Sequence, residues 1–243
     1  MSETLLSVRG VVKSFGVIRA LGPVDLELKA GERLGIIGPN GSGKTTLINC
    51  ITGFFPPDEG SIVFKGEDIT RKPAHQRARI GLSRSFQIPR PFKGMTVLEN
   101  LLVPMDYCAR SSERDERAAA EEVLASVGLI ARRDHAAEKL TQLELRKLEL
   151  ARALAARPKI LIADEAMAGL SEAEIDDILS LLFKLNGTGV AVVMIEHIMH
   201  AVMRFSERMI CLETGRIIAE GRPEAISRDE KVQKVYFGEQ TPH

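Results

Sequence analysis

Eight consecutive residues, Gly38-Pro39-Asn40-Gly41-Ser42-Gly43-Lys44-Thr45, restrict what this chain can become more than any other stretch. Glycines at positions 38, 41 and 43 let the backbone curl so that successive N–H groups converge on one point. The octapeptide follows an apolar run at residues 34–37 and opens a stretch with helical patterning, so a strand delivers the loop and a helix leaves it. This is the G-x-x-x-x-G-K-[ST] arrangement of a phosphate-binding loop. A helix N-terminus behind converging N–H groups favours an anion. Lys44 adds a point charge for outer phosphates, and the Thr45 hydroxyl suits Mg²⁺ ligation. The plain alternative, a flexible glycine-rich turn, does not explain why strand and helix flank it.

The surrounding pattern sets the fold class. Alternating segments at residues 6–12 and 24–28 read as half-buried strands in antiparallel pairing, with Gly22-Pro23 expected as the turn between them. Apolar runs at residues 34–37, 160–163 and 191–195 are each followed by a helix-like stretch, which predicts a mostly parallel sheet covered on both faces. Residues from about 96 to 158 are rich in Ala, Leu, Glu and Arg and predict a helical subdomain inserted between core strands. Thr96-Val97-Leu98-Glu99 at its start fits a capping box, in which Thr and Glu satisfy the first free N–H groups of a helix. Residues 111–117 are charged and read as a solvated helix start or loop. Residues 223–237 predict short helices on the rim. With no internal repeat and no obvious linker, one α/β domain spanning 1–243 is expected, with an antiparallel N-terminal β subdomain and the helical insert.

Two acids end the apolar run at 160–163. At the C-terminal edge of a parallel sheet, where ligands collect, Asp164 would hold Mg²⁺ through its water shell and Glu165 would polarise a water for attack on a phosphorus. Strands also end in charged caps, so the pair draws its meaning from the loop at 38–45. His197 follows the run at 191–195; such a histidine is more often a surface or capping residue, and its alternative role is a donor to a terminal phosphate. Gln87, after the segment 82–86, is a neutral amide able to meet a metal-bound water.

Charge balance and thiols exclude several classes. Lys+Arg and Asp+Glu both number 33, so a basic surface for bulk attraction to nucleic acid is not expected. Cys50, Cys108 and Cys211 lie far apart in an odd count without metal-ligand spacing, which predicts reduced thiols in a cytosolic protein. The N-terminus lacks the pattern of a signal peptide, and no apolar run approaches the roughly 18 residues of a membrane span. Any membrane crossing would fall to another chain.

The order of loop, Gln87, helical insert, Asp164-Glu165 and His197 resembles the nucleotide-binding domain of ABC ATPases over nearly the whole chain. The resemblance implies a P-loop NTPase core, ATP and Mg²⁺ as bound species, and two cassettes closing head to tail. It implies that Phe15, otherwise read as core, stacks on adenine, that Asn40, Ser42 and Thr46 join the phosphate cradle, and that Lys44, Glu165 and His197 serve hydrolysis. One stretch departs from the family. In place of Leu-Ser-Gly-Gly-Gln stands Leu140-Thr141-Gln142-Leu143-Glu144, where Thr141 keeps a hydroxyl for the partner's ATP but both glycines are lost. The same residues form a capping box, which would turn Glu144 toward its own backbone. Ser171 also stands where many relatives carry Asp.

The segment from Asp164 through Leu170, the substituted signature and the tail Val232-Gln233-Lys234-Val235-Tyr236-Phe237-Gly238 resemble ATPase subunits of importers for branched-chain amino acids or related polar solutes such as urea and amides. That resemblance implies membrane permease subunits, a sister or identical cassette, an indirect solute-binding protein, and a place on the cytoplasmic face of the membrane. The loop Gln87-Ile88-Pro89-Arg90-Pro91-Phe92 would touch a permease helix or be a stiff surface loop. Lipopolysaccharide export and a soluble non-transport ATPase remain alternatives.

Overall fold

The computed structural model describes residues 3–85, 90–108 and 113–237. It divides into two units, Met1–Ala74 with Ala191–His243, and His75–Val190. The first begins with a hairpin of β1 (Thr4–Phe15) and β2 (Ile18–Lys29), antiparallel from Thr4↔Lys29 to Phe15↔Ile18. In β2 the alternation of Val24, Leu26 and Leu28, all buried, with exposed Asp25 places one face on the core. The hairpin turns at Gly16-Val17, not at Gly22-Pro23, which lies inside β2 as a cis peptide bond. The expectation failed because Gly-Pro punctuates most chains. Here the Gly22 N–H donates to Gly215 O at 2.9 Å, and Pro23, which has no N–H, sits on the edge strand, where none is required.

After β3 (Arg33–Ile37) and α1 (Lys44–Thr52), β4 (Glu59–Phe64) returns antiparallel beside β1, and the two-residue β5 (Glu67–Asp68) closes the small sheet in the order β2-β1-β4-β5.

In the second unit α2 (Ala74–Arg79) leads to β6 (Leu82–Ser85). The expected run of helices follows as α3 (Val97–Cys108), α4 (Glu113–Ser126) and α5 (Gln142–Ala155), before β7 (Ile160–Asp164) and α6 (Glu172–Asn186). Strands β6 and β7 are parallel, from Leu82↔Ile160 to Ser85↔Ala163. Leu101, Met105, Leu124, Leu148 and Ala151 form a shared core of α3, α4 and α5. Each fully buried leucine there contributes about 1.5–3 kcal/mol. The capping box expected at the start of α3 is present: Glu99 N–H donates to Thr96 Oγ1, and Thr96 N–H donates to the Glu99 carboxylate.

The chain re-enters the first unit with β8 (Ala191–Ile195), α7 (Met199–Phe205), β9 (Arg208–Glu213), β10 (Arg216–Gly221), α8 (Pro223–Arg228) and α9 (Glu230–Phe237). Strand β3 lies between β8 and β9, parallel to both, and β10 pairs antiparallel with β9. Residues 34–37 and 191–195 are buried along their whole length, which is why these strands read as unbroken apolar runs. No helix among the described residues is long and apolar enough to cross a membrane.

Candidate nucleotide site

Strand β3 ends at Ile37 and the loop from Gly38 to Thr45 leads into α1. Gly43 is the N-cap at φ 104°, with no side chain capping the helix and no acid in its first turn. The N–H groups that a helix start leaves without intrahelical partners are therefore not closed off by the chain's own carboxylates. Two positions demand glycine. A Cβ on Gly38, at φ +150°, would stand 2.2 Å from Leu212 O, and one on Gly43 would stand 2.7 Å from Ala20 O. Lys44 is only 6% exposed, and its ammonium donates to Gly38 O at 2.6 Å and Pro39 O at 2.9 Å. Its Nζ also lies 3.5 Å from the hydroxyl of buried Ser42. The positive charge is thereby stored inside the curl of the loop. Asn40, Gly41 and Thr45 are exposed, while Pro39 and Thr46 are half-buried. An anion-shaped cradle with one internal cation and hydroxyls along its rim fits a nucleotide's phosphate chain.

Phe15, at the end of β1, is 49% exposed and so is not a core residue. Its ring meets Phe55 edge-on at 5.3 Å and 84°, with Lys13 Nζ 5.7 Å from the Phe15 centroid and 5.5 Å from that of Phe55. Asp58 anchors the group by pairing with Lys13 at 2.6 Å and accepting the Ser14 N–H. The Lys13 hydrogen bond, then that of Ser14, holds the Asp58 carboxyl below its ordinary value. A flat ring with an open face, braced from one side, suits stacking on a planar base. His197 lies two residues beyond the end of β8, after buried Glu196, and is exposed.

In the second unit Asp164 is the last residue of β7 and is 6% exposed. Its carboxylate accepts a hydrogen bond from Arg84 at 2.5 Å, across the pairing of β6 with β7. Glu165 follows, half-buried, at φ 48°. A non-glycine residue in that region carries backbone strain, which concentrates at functional positions. Carboxylate and hydroxyl oxygens are the donors Mg²⁺ prefers, usually one or two protein ligands completed by phosphates and water. Among the described residues no group of three or more His, Cys, Asp or Glu could hold a metal. Gln87 lies outside the described residues, as do Ile88 and Pro89. Arg90 and Phe92, in the described part of that loop, are tied to α5. The Arg90 N–H donates to buried Glu149, Arg152 donates to Arg90 O and to Glu149, and the Arg152 guanidinium stands 4.6 Å from the Phe92 ring centroid.

The substituted signature folds as a capping box. Thr141 Oγ1 accepts the Glu144 N–H at 3.3 Å, and the Glu144 carboxylate accepts the Thr141 N–H at 2.9 Å. Glu144 also pairs with Arg132 at 2.8 Å. Its carboxyl is held below the usual range, chiefly by the Thr141 backbone and then by Arg132. Gln142 lies where a Cβ on Gly169 would stand, and Arg146 donates to Ala168 O, which binds the 168–169 turn to α5. Ser171 caps α6, its N–H and hydroxyl both meeting Glu174.

Sequence reasoning missed Arg84 as a partner of Asp164. The available signal was a cation inside a short strand paired with a buried one. It also gave Tyr236 no role, although the tail around it stood out.

Comparison with known proteins bears on the whole chain. The family model described as "ABC transporter" matches residues 21–168, and that of the "branched-chain amino acid ATP-binding cassette transporter" matches residues 216–241. The high-affinity branched-chain amino acid transport ATP-binding protein BraF of Pseudomonas aeruginosa is 39% identical, over 98% of this chain and 100% of its own. LivG of Escherichia coli K12, of the same description, is 37% identical with the same coverage. Among solved structures, an ATP-binding cassette of an ABC transporter in its ADP conformation aligns with a TM-score of 0.89 and 34% identity, over 98% of this chain and 100% of that one. A dimeric cassette in a post-hydrolysis state, bound to ADP and Pi, aligns with a TM-score of 0.81 and 30% identity, over 90% of this chain and 99% of that one. With its loop at 38–45, its helical insert and these relatives along its full length, the chain belongs to the ABC transporter family as an ATP-binding cassette.

Proposed function

We propose that the chain binds MgATP at Gly38 to Thr45, hydrolyses it, and thereby energises uptake of branched-chain amino acids or a related small polar solute. The observation that carries the reading is the uncapped, glycine-built N-terminus of α1 with Lys44 folded into it. Phe15 stacks on the base, and Asn40, Ser42, Thr45 and Thr46 add donors along the phosphates. Mg²⁺, when bound, neutralises phosphate charge, and Thr45, Gln87 and Asp164 are the residues assigned to it. Glu165 accepts a proton from the attacking water, and His197 donates to the terminal phosphate. Two cassettes act together, with Thr141 offering its hydroxyl in trans, because only states that differ in affinity for ATP and ADP can move a partner. The chain works on the cytoplasmic face of a membrane against permease subunits, which the segment at 87–92 contacts. A solute-binding protein delivers the cargo.

Branched-chain amino acid transport is favoured by the names of BraF and LivG and by the match at residues 216–241. Export has one supporting observation, a 34% identity to the lipopolysaccharide export protein LptB of Haemophilus influenzae over 98% of both chains. Purification from membranes in mild detergent, with identification of the associated chains, separates the two. Replacing Glu165 by Gln should lower ATP turnover about 10²–10⁴-fold, the range for a general base, while ADP affinity stays unchanged. Turnover at the wild-type rate would remove Glu165 from this role.

A further inference from the structure

The tail that marks this chain touches the phosphate loop itself. The Gly38 backbone N–H donates to the Tyr236 hydroxyl at 2.6 Å. Tyr236 sits on α9, whose start is fixed by Asp229, the acceptor of the Lys231 and Val232 N–H groups. Val232, 3% exposed, anchors the helix, and Tyr236 lies four residues on, over the same face. A second hold comes from the same C-terminal region, where the Gly215 N–H donates to Ser42 O at 2.9 Å. Burial first, then Cys211, pushes the Tyr236 phenol up to about 12, so the hydroxyl keeps its proton across the physiological range.

We propose that Tyr236 is a positioning residue for nucleotide binding, and that docking of α9 and occupation of the loop at 38–45 are thermodynamically linked through Gly38. The inference rests on the reading that this loop holds ATP. Gly38 tolerates no Cβ and as a glycine has wide backbone freedom to lose, so an acceptor fixed on its N–H raises the fraction of loops already curled. A ligand's apparent affinity scales with that fraction. Linkage is reciprocal: a nucleotide that selects the curled loop must also tighten α9.

Tyr236→Phe keeps the ring and removes only the hydroxyl, and with it the acceptor for the Gly38 N–H. On the full-length chain it should weaken ADP binding about fivefold, the share of one neutral hydrogen bond. The ATP dependence of turnover should change mainly in KM. In the wild type, ADP should slow amide exchange across residues 230–236, and in Tyr236→Phe that protection should shrink. An ADP dissociation constant equal to that of the wild type overturns the proposal, even if the variant melts earlier, because a purely structural tyrosine would do that alone. Exchange in α9 indifferent to ADP overturns it as well. If Tyr236→Phe does not fold, Val232→Ala loosens the same helix without touching the hydroxyl, and the same two readings apply. A wild-type chain that fails to bind ADP would instead sink the nucleotide reading itself.

Discussion

Two helices of this chain begin in opposite ways. At the start of α1 the N-cap is a left-handed glycine, no acid stands in the first turn, and a lysine is folded into the preceding loop. At the start of α5, Thr141 and Glu144 satisfy each other's backbone N–H groups and Arg132 neutralises the acid. Both termini present the positive end of a peptide dipole. Only the first leaves it for a guest, and the second answers it from within. The difference teaches that the Thr141 hydroxyl already accepts a hydrogen bond from its own helix, so the trans role proposed for it would draw only on its remaining O–H donor.

The contrast can be broken from either side. Lys44→Ala removes the stored cation, and ADP affinity should fall about 100-fold, the effect of deleting a charge-assisted hydrogen bond in a desolvated loop; titration with a fluorescent ADP analogue reads it. Gly43→Ala forces a Cβ into the carbonyl of Ala20 at a backbone angle that side chains avoid. About 3 kcal/mol of stability should be lost in urea unfolding, whereas glycine in place of Thr141 should cost only about a few tenths. Glu144→Ala opens the closed terminus at a cost of about 1 kcal/mol near neutral pH. Glu144 has a folded-state pKa below its unfolded value, so its contribution is present above an unfolded pKa of about 4.3 and is lost as pH falls through the depressed folded value. The stability gap between wild type and Glu144→Ala should therefore close on acidification, and a gap that is constant with pH would show that the carboxylate charge is not what closes α5.

Much of this was legible in order along the chain. The loop at 38–45, the boxes at Thr96 and Thr141, the fully apolar strands and the helical insert are local patterns in which neighbours determine geometry. Gly22-Pro23 misled because a turn dipeptide inside an edge strand looks the same in sequence as one between strands. Arg84 with Asp164 and Tyr236 with Gly38 are separated by 80 and 198 positions. Pairings of that span arise from strand register and helix docking, which no window of sequence contains. Phe15 was read alone as core; its exposure follows from its place at the hairpin end.

The ion pair of Arg84 with Asp164 carries a consequence for how this protein tolerates chelation. A deeply placed acid without a counter-charge would make the fold lean on whatever cation arrives. Here the counter-charge is part of the neighbouring strand, so the stability of the fold at Asp164 does not depend on a bound cation.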